Sequence, residues 1–157
     1  MRKVMIASSL LLFMLRTGFT QESASAAEGY VFFAPGVTSS GGEGTAHIGF
    51  GGELLFKGIG IGPEIGYLTP IRSFGDGIGT LSPNISYHFR STQLSPFVTG
   101  GYTLFFRNGH ANGFNYGGGV DYWLADKKAL RFEVRDNVMA EYGHTHFWGF
   151  RVGLSFR

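Results

Sequence analysis

Seven charged residues fall on the polar phase of a two-residue alternation: Glu53, Glu64, Asp121, Arg131, Glu133, Arg135 and Arg151. Gly49 and Gly51 lead into Glu53, Gly60 and Gly62 into Glu64, and Gly117 and Gly119 into Asp121, each at a spacing of two. Side chains two apart on a strand share a face, so these carboxylates would stand beside glycines that leave room for a long cation arriving from elsewhere. Four carboxylates and three guanidiniums in a narrow space could form either an ion path or a plug of salt bridges. Isolated charges in a low-dielectric interior are very costly, which favours the plug.

Other groups with reactive side chains say less. His144-Thr145-His146 has the spacing for two imidazoles on one strand face, but no third ligand is identifiable. The pair therefore reads as a polar rim beside a loop, and neither a metal nor a cofactor is expected. The chain has no Cys, which excludes disulfides and thiolate metal sites. Its glycine-rich stretches lack the strand-to-helix setting and the Lys-Ser or Lys-Thr pair of a phosphate-binding loop.

Strands must position the charges, and the final stretch, His146 to Arg157, shows how. Trp148, Phe150, Val152, Leu154 and Phe156 share one face, while Phe147, Gly149, Arg151, Gly153 and Ser155 share the other. A soluble sandwich would bury the greasy face. A membrane barrel turns it to lipid and keeps the small and charged positions for a narrow lumen. The same alternation predicts strands over Glu28–Gly36, Thr45–Phe56, Ile59–Thr69, Ile78–Phe89, Pro96–Phe106, Phe114–Leu124 and Ala129–Val138. Phe114, Tyr116, Val120, Leu130 and Phe132 join the final strand's outward set as lipid-facing residues, and Ser at the inward Gly119 is expected to be tolerated. The first strand is ambiguous in its facing. Pro63 removes a ladder donor and predicts a local bulge, and Pro83 repeats the difficulty at a comparable depth.

Eight is an even count, so the chain would end on the side where it began, with strands of about the ten residues that a tilted crossing needs. The turns at Lys57-Gly58, Arg90–Ser95 and Ala125–Lys128 would share the periplasmic side with the termini. A two-residue turn at Lys57-Gly58 places Glu53 beside Gly62 and Glu64 beside Gly51. Asp121 and Arg131 would lie directly or diagonally opposite each other.

Composition agrees. Aromatics make up 16% of 157 residues and charged residues only 15%, with 26 glycines, which is unusual for a soluble globular domain. Met1-Arg2-Lys3, the apolar run Val4–Leu15 and Ala24-Ser25-Ala26 follow the order of a secretory signal, so residues 1–26 are expected to be cleaved, leaving one domain, 27–157. That apolar run has 12 residues, too few for a membrane-spanning helix of roughly 20. Without the signal, acidic and basic residues are equal in number, so no footprint for nucleic acid remains.

Gly117-Gly118-Gly119-Val120-Asp121-Tyr122-Trp123-Leu124, followed by Leu130-Arg131-Phe132-Glu133-Val134-Arg135-Asp136, resembles the penultimate hairpin of the small eight-stranded outer-membrane barrels of Gram-negative bacteria, such as the membrane domain of outer membrane protein A. The aromatic-rich final strand is similar to the signal read by the barrel-assembly machinery. The resemblance implies an all-β, antiparallel up-and-down barrel in the cell outer membrane, with lipid and that machinery as partners, and a monomer. The lumen charges, the short loops and the lack of a nucleophile set together lead to the expectation of a structural or interaction protein with a plugged lumen, short surface loops and no enzyme activity. An outer-membrane lipid A deacylase carries a His/Ser/Glu set on the outside of a small barrel, but the comparison fails at the nucleophile. His144 and His146 flank Thr145, which points the other way, and Glu141 alone completes nothing. A narrow pore or a soluble lipocalin-like barrel are the remaining alternatives; the latter would need the apolar residues inside.

Overall fold

The computed structural model describes residues 26–89, 93–141 and 143–157. The export signal expected over residues 1–26 lies outside them except for Ala26, and so do Arg90 to Thr92 of the expected Arg90–Ser95 turn. Eight antiparallel strands close on themselves in sequence order. They are β1 (Ala26–Thr38), β2 (Gly44–Phe56), β3 (Ile59–Pro70), β4 (Ile78–His88), β5 (Leu94–Phe106), β6 (His110–Ala125), β7 (Lys128–Met139) and β8 (Thr145–Phe156). Each neighbour pairs by an up-and-down hairpin, and β1 meets β8 to seal the wall, with Gly29 opposite Phe156 and Thr38 opposite Phe147. Closure removes every free strand edge, so the backbone can satisfy itself within lipid.

Alternation decides which face is which. Val31, Phe33, Ile48, Phe50, Leu54, Ile61, Ile85, Val98 and Val134 are exposed, whereas their strand neighbours Phe32, His47, Glu53, Ser86, Phe97 and Arg135 are buried. An apolar belt therefore wraps the outside, and the polar side chains fill the inside, the reverse of a soluble domain. The first strand's facing is settled by the same contrast: Tyr30, Phe32 and Ala34 point in. Lys57 and Gly58 both hold positive φ, 51° and 89°, as the tightest two-residue hairpin turn requires.

No bulge forms at Pro63. Pro63 and Pro83 stand directly opposite each other across β3 and β4, and the register runs through them without a shift. Pairing of β3 with β2 lapses between Gly51–Glu64 and Leu54–Ile61 and resumes in the same register. A proline in this setting deletes one donor from the ladder without requiring an extra residue. The register shift occurs instead between Trp123 and Ala125 of β6, beside the turn into β7.

Inward glycines mark where the walls approach most closely. A Cβ at Gly119 would lie 2.1 Å from the Phe132 carbonyl oxygen, and one at Gly62 would lie 1.7 Å from that of Gly52. Those atoms are backbone and cannot swing aside, so the expectation that Ser is tolerated at Gly119 does not hold. The strand's small residues are there to let neighbouring strands pack, as well as to leave space for arginines.

Candidate functional site

Side chains occupy the interior in successive layers. At the end carrying the termini, Arg157 Nε donates to Glu28 Oε2 at 3.1 Å, and its guanidinium lies 3.9 Å from the centre of the Trp123 ring. The next layer holds Arg131 between the rings of Tyr30 and Phe97, 4.2 Å from each centroid. Arg131 reaches Glu53 at 3.3 Å and Asp121 at 3.5 Å. Asp121 faces Arg131 directly in the β6–β7 register, with Ser155 donating to its carboxylate at 3.1 Å. His88 sits between the two acids, its Nε2 3.2 Å from Glu53 and its Nδ1 3.9 Å from Asp121.

A second ionic layer occupies mid-depth. Glu64 takes Arg151 at 2.8 Å, Arg135 at 3.3 Å and the Tyr30 hydroxyl at 2.9 Å. Glu133 pairs with Arg135 beside it on β7 and lies 4.0 Å from Arg151. Tyr30 links the two layers, since its hydroxyl serves Glu64 while its ring covers Arg131. Above them, Asn115 bridges Asn84, Thr103 and Arg135, and His47 meets Thr80. At the loop end Leu68, Phe105 and Ala111, with Ile78, Met139 and Phe147 packed against them, form an apolar lid.

All seven charges singled out in the sequence are thus buried in the lumen, divided between two clusters: Glu53, Asp121 and Arg131 in one, Glu64, Glu133, Arg135 and Arg151 in the other. The neighbouring guanidiniums of Arg135 and Arg151 share Glu64 and Glu133 between them, and Phe32 covers Arg151 at 4.0 Å. Sequence reasoning missed Glu28, Tyr30 and Arg157. The alternation of β1 could have exposed the first two, once its facing was known. Arg157, beyond the last periodic residue, gave no signal.

Outside, the ten residues assigned to lipid all lie on the outer face. Phe114, Tyr116, Trp148, Phe150, Val152, Leu154 and Phe156 are between 41 and 49% exposed. Val120, Leu130 and Phe132 are half-buried by packing among themselves and against β8, where Leu130 faces Leu154 and Phe132 faces Val152.

The histidines do not form a pair. His144 stands in the turn before β8 with φ 56°, whereas His146 is in the strand and points outward. His146 Nδ1 lies 2.6 Å from Asp136 Oδ2, which also accepts from the Tyr116 hydroxyl at 2.9 Å. Asp136 occupies an outward position of β7 yet is wholly buried, roofed by Tyr116, Trp148 and His146. Its Oδ1 has no partner among the described residues. The His146 backbone donates to Ser39 Oγ at 3.0 Å, and Ser39 N donates back to the His146 carbonyl at 2.9 Å. Asp136 and Ser39 were both passed over in the sequence, because a lone acid in an apolar strand and a serine in a loop have no periodic signature.

An apolar exterior around a polar, filled interior defines a small closed transmembrane barrel. No family model matches the sequence, and no curated protein matches it. Solved structures do share the fold. Neisserial surface protein A superposes with a TM-score of 0.68 over 85% of this chain and 99% of its own, at 10% identity. The N-terminal barrel domain of Pseudomonas aeruginosa OprF gives 0.61 over 87% and 100%, at 15% identity. The outer-membrane enzyme PagL gives 0.52 over 82% and 99%, at 17% identity. The fold is that of the small eight-stranded outer-membrane barrels, and an outer-membrane location follows from it together with the apolar belt. Surface protein and enzyme alike use this wall, so activity must be argued from side chains.

Proposed function

We propose that this protein is a non-conducting outer-membrane barrel, a structural or interaction protein whose work is done at the surface it presents and not through its lumen. One observation carries the reading: three arginines and four acids interlock across the interior beneath the apolar lid at Leu68, Phe105 and Ala111. In an eight-stranded barrel the interior is about wide enough for side chains to fill, and here they do. The turns opposite the termini, 39–43, 71–77, 107–109 and the described residues of 140–144, face outward from the cell in this reading, while outer-membrane lipid surrounds the belt and the barrel-assembly machinery reads the final strand. Arg107 ties the third of these turns to the second through Gly75 and Asp76, giving a braced surface. Neisserial surface protein A, of the same fold, is a surface protein by its own description. Planar-bilayer recording of the purified barrel tests the proposal. A silent bilayer is expected, and steady single-channel steps would overturn it.

A further inference from the structure

We propose that the mouth of the barrel at the end carrying the termini binds short zwitterionic peptides, with the peptide carboxylate on Arg157 and its ammonium on Asp126. A pocket of about 620 Å³ opens there, and its polar lining is Gln93, Ser95, Trp123, Asp126 and Arg157. That volume lies within the ordinary range for a small-molecule site. Separate elements bring the groups together. Ser95 is on β5 and Trp123 on β6, Asp126 is in the turn that follows β6, and Arg157 follows β8. The Trp123 main chain donates to the Gln93 carbonyl at 2.9 Å, and that of Arg157 donates to the Lys127 carbonyl at 3.2 Å, so the walls of the mouth are tied to one another.

Arg157 is held ready. Its Nε donates to the buried Glu28 at 3.1 Å, its guanidinium lies 3.9 Å from the centre of the Trp123 ring, and the indole is pinned in turn by donating to Ser95 Oγ at 3.2 Å. The terminal nitrogens have no acceptor among the described residues, and the side chain lines the pocket. A planar fork fixed along one edge and across one face is the group that takes a carboxylate through two parallel hydrogen bonds. Ser95 adds a hydroxyl whose oxygen accepts from the indole and whose proton remains to donate.

Acceptors share the same cavity. Asp126 is exposed and forms no ion pair among the described residues, and Gln93, whose amide nitrogen donates to the Tyr122 hydroxyl at 3.1 Å, keeps its side-chain oxygen. A simple anion would leave Asp126 without a partner, and a simple amine would leave the fork empty. A molecule carrying both charges satisfies both, and the volume leaves room beyond a single amino acid for a short chain. Lys57, Lys127 and Lys128 stand at the same end and give the mouth a positive field that draws in the carboxylate. The ionic layers and the apolar lid close the barrel behind the pocket, so it fills only from this mouth. The site goes beyond the surface-directed reading above and needs no passage through the lumen.

The test titrates the full barrel in detergent micelles with L-alanyl-L-alanine and follows the indole N–H resonances by NMR. The chain has two tryptophans, Trp123 at the pocket and Trp148 on the outer wall toward the other end, which serves as the reference. The Trp123 resonance should move saturably while that of Trp148 stays. The N-acetylated and the C-amidated dipeptide should each bind more weakly by on the order of tenfold or more, since each leaves one charged partner unmet. Arg157→Gln and Asp126→Asn should weaken binding of the free dipeptide similarly, and Arg72→Gln at the opposite end should leave it unchanged. Heat-modifiable migration checks that each variant is folded, and Asp126, exposed in a turn, gives a variant that does not depend on the fate of Arg157→Gln. No saturable movement of Trp123, equal movement of Trp148, or binding undiminished in either blocked peptide or either pocket variant overturns the proposal.

Discussion

Arg131 shows what one lumen residue must satisfy. Its guanidinium is clasped by two aromatic faces and by acids from β2 and β6, and it is 3% exposed. Removing it leaves the carboxylates of Glu53 and Asp121, on either side of His88, without their guanidinium, and an uncompensated buried charge costs about 3–5 kcal/mol where no water enters. Arg131→Ala should therefore lower the urea midpoint of unfolding, read by intrinsic fluorescence in lipid. Arg157 is the informative contrast. Its side chain is 36% exposed, so water can take its place beside the buried Glu28, and Arg157→Ala should cost less than Arg131→Ala even with the lost Trp123 contact. Equal effects for the two arginines would mean that water fills the lower lumen.

At the scale of the strand, facing is what the sequence made legible. A period of two running through glycine, serine and charge on one phase and aromatics on the other can be read without any tertiary knowledge, and it located all eight strands to within a few residues. Ends were harder. β6 begins at His110 and not at Phe114, because Ala111 and Gly113 continue the small inward phase through residues whose polarity reads as loop. Backbone crowding was invisible, since a glycine that makes room for an arginine and one pressed against a carbonyl look identical. Gly119→Ser should therefore destabilise the barrel, by the 1–3 kcal/mol typical of overpacking, and slow its folding into vesicles. On the opposite phase of the same hairpin, Phe132→Arg should cost about 2–4 kcal/mol if its depth is near the midplane. A folding titration in lipid checks both, and a harmless Arg at Phe132 would reverse the facing of β7.

For the whole molecule, closure rests on two barriers of different chemistry stacked along one axis. The ionic layers bind Glu53, Glu64, Asp121 and Glu133 to three arginines through most of the depth, and the lid of Leu68, Phe105 and Ala111 with Phe147 shuts the loop end. Neither depends on the other for its contacts. Arg151, 1% exposed, meets Glu64 and the face of Phe32 in the middle of the barrel, well below the lid. Its loss should loosen the mid-depth cluster and admit water there, yet the lid would still stand between that water and the outside. Phe105, 2% exposed, packs against Phe147 with ring centres 6.1 Å apart, and its loss should open the lid while the ionic layers remain. Each single variant, Arg151→Ala or Phe105→Ala, should therefore stay silent in a planar bilayer although its unfolding midpoint falls. The double variant keeps the Arg131 layer with Glu53 and Asp121, so it too should stay silent, and only the further loss of Arg131 should give conductance in a barrel whose heat-modifiable migration shows it folded. Channels from Arg151→Ala alone would show that the lid is leaky and that the salt bridges are the sole barrier.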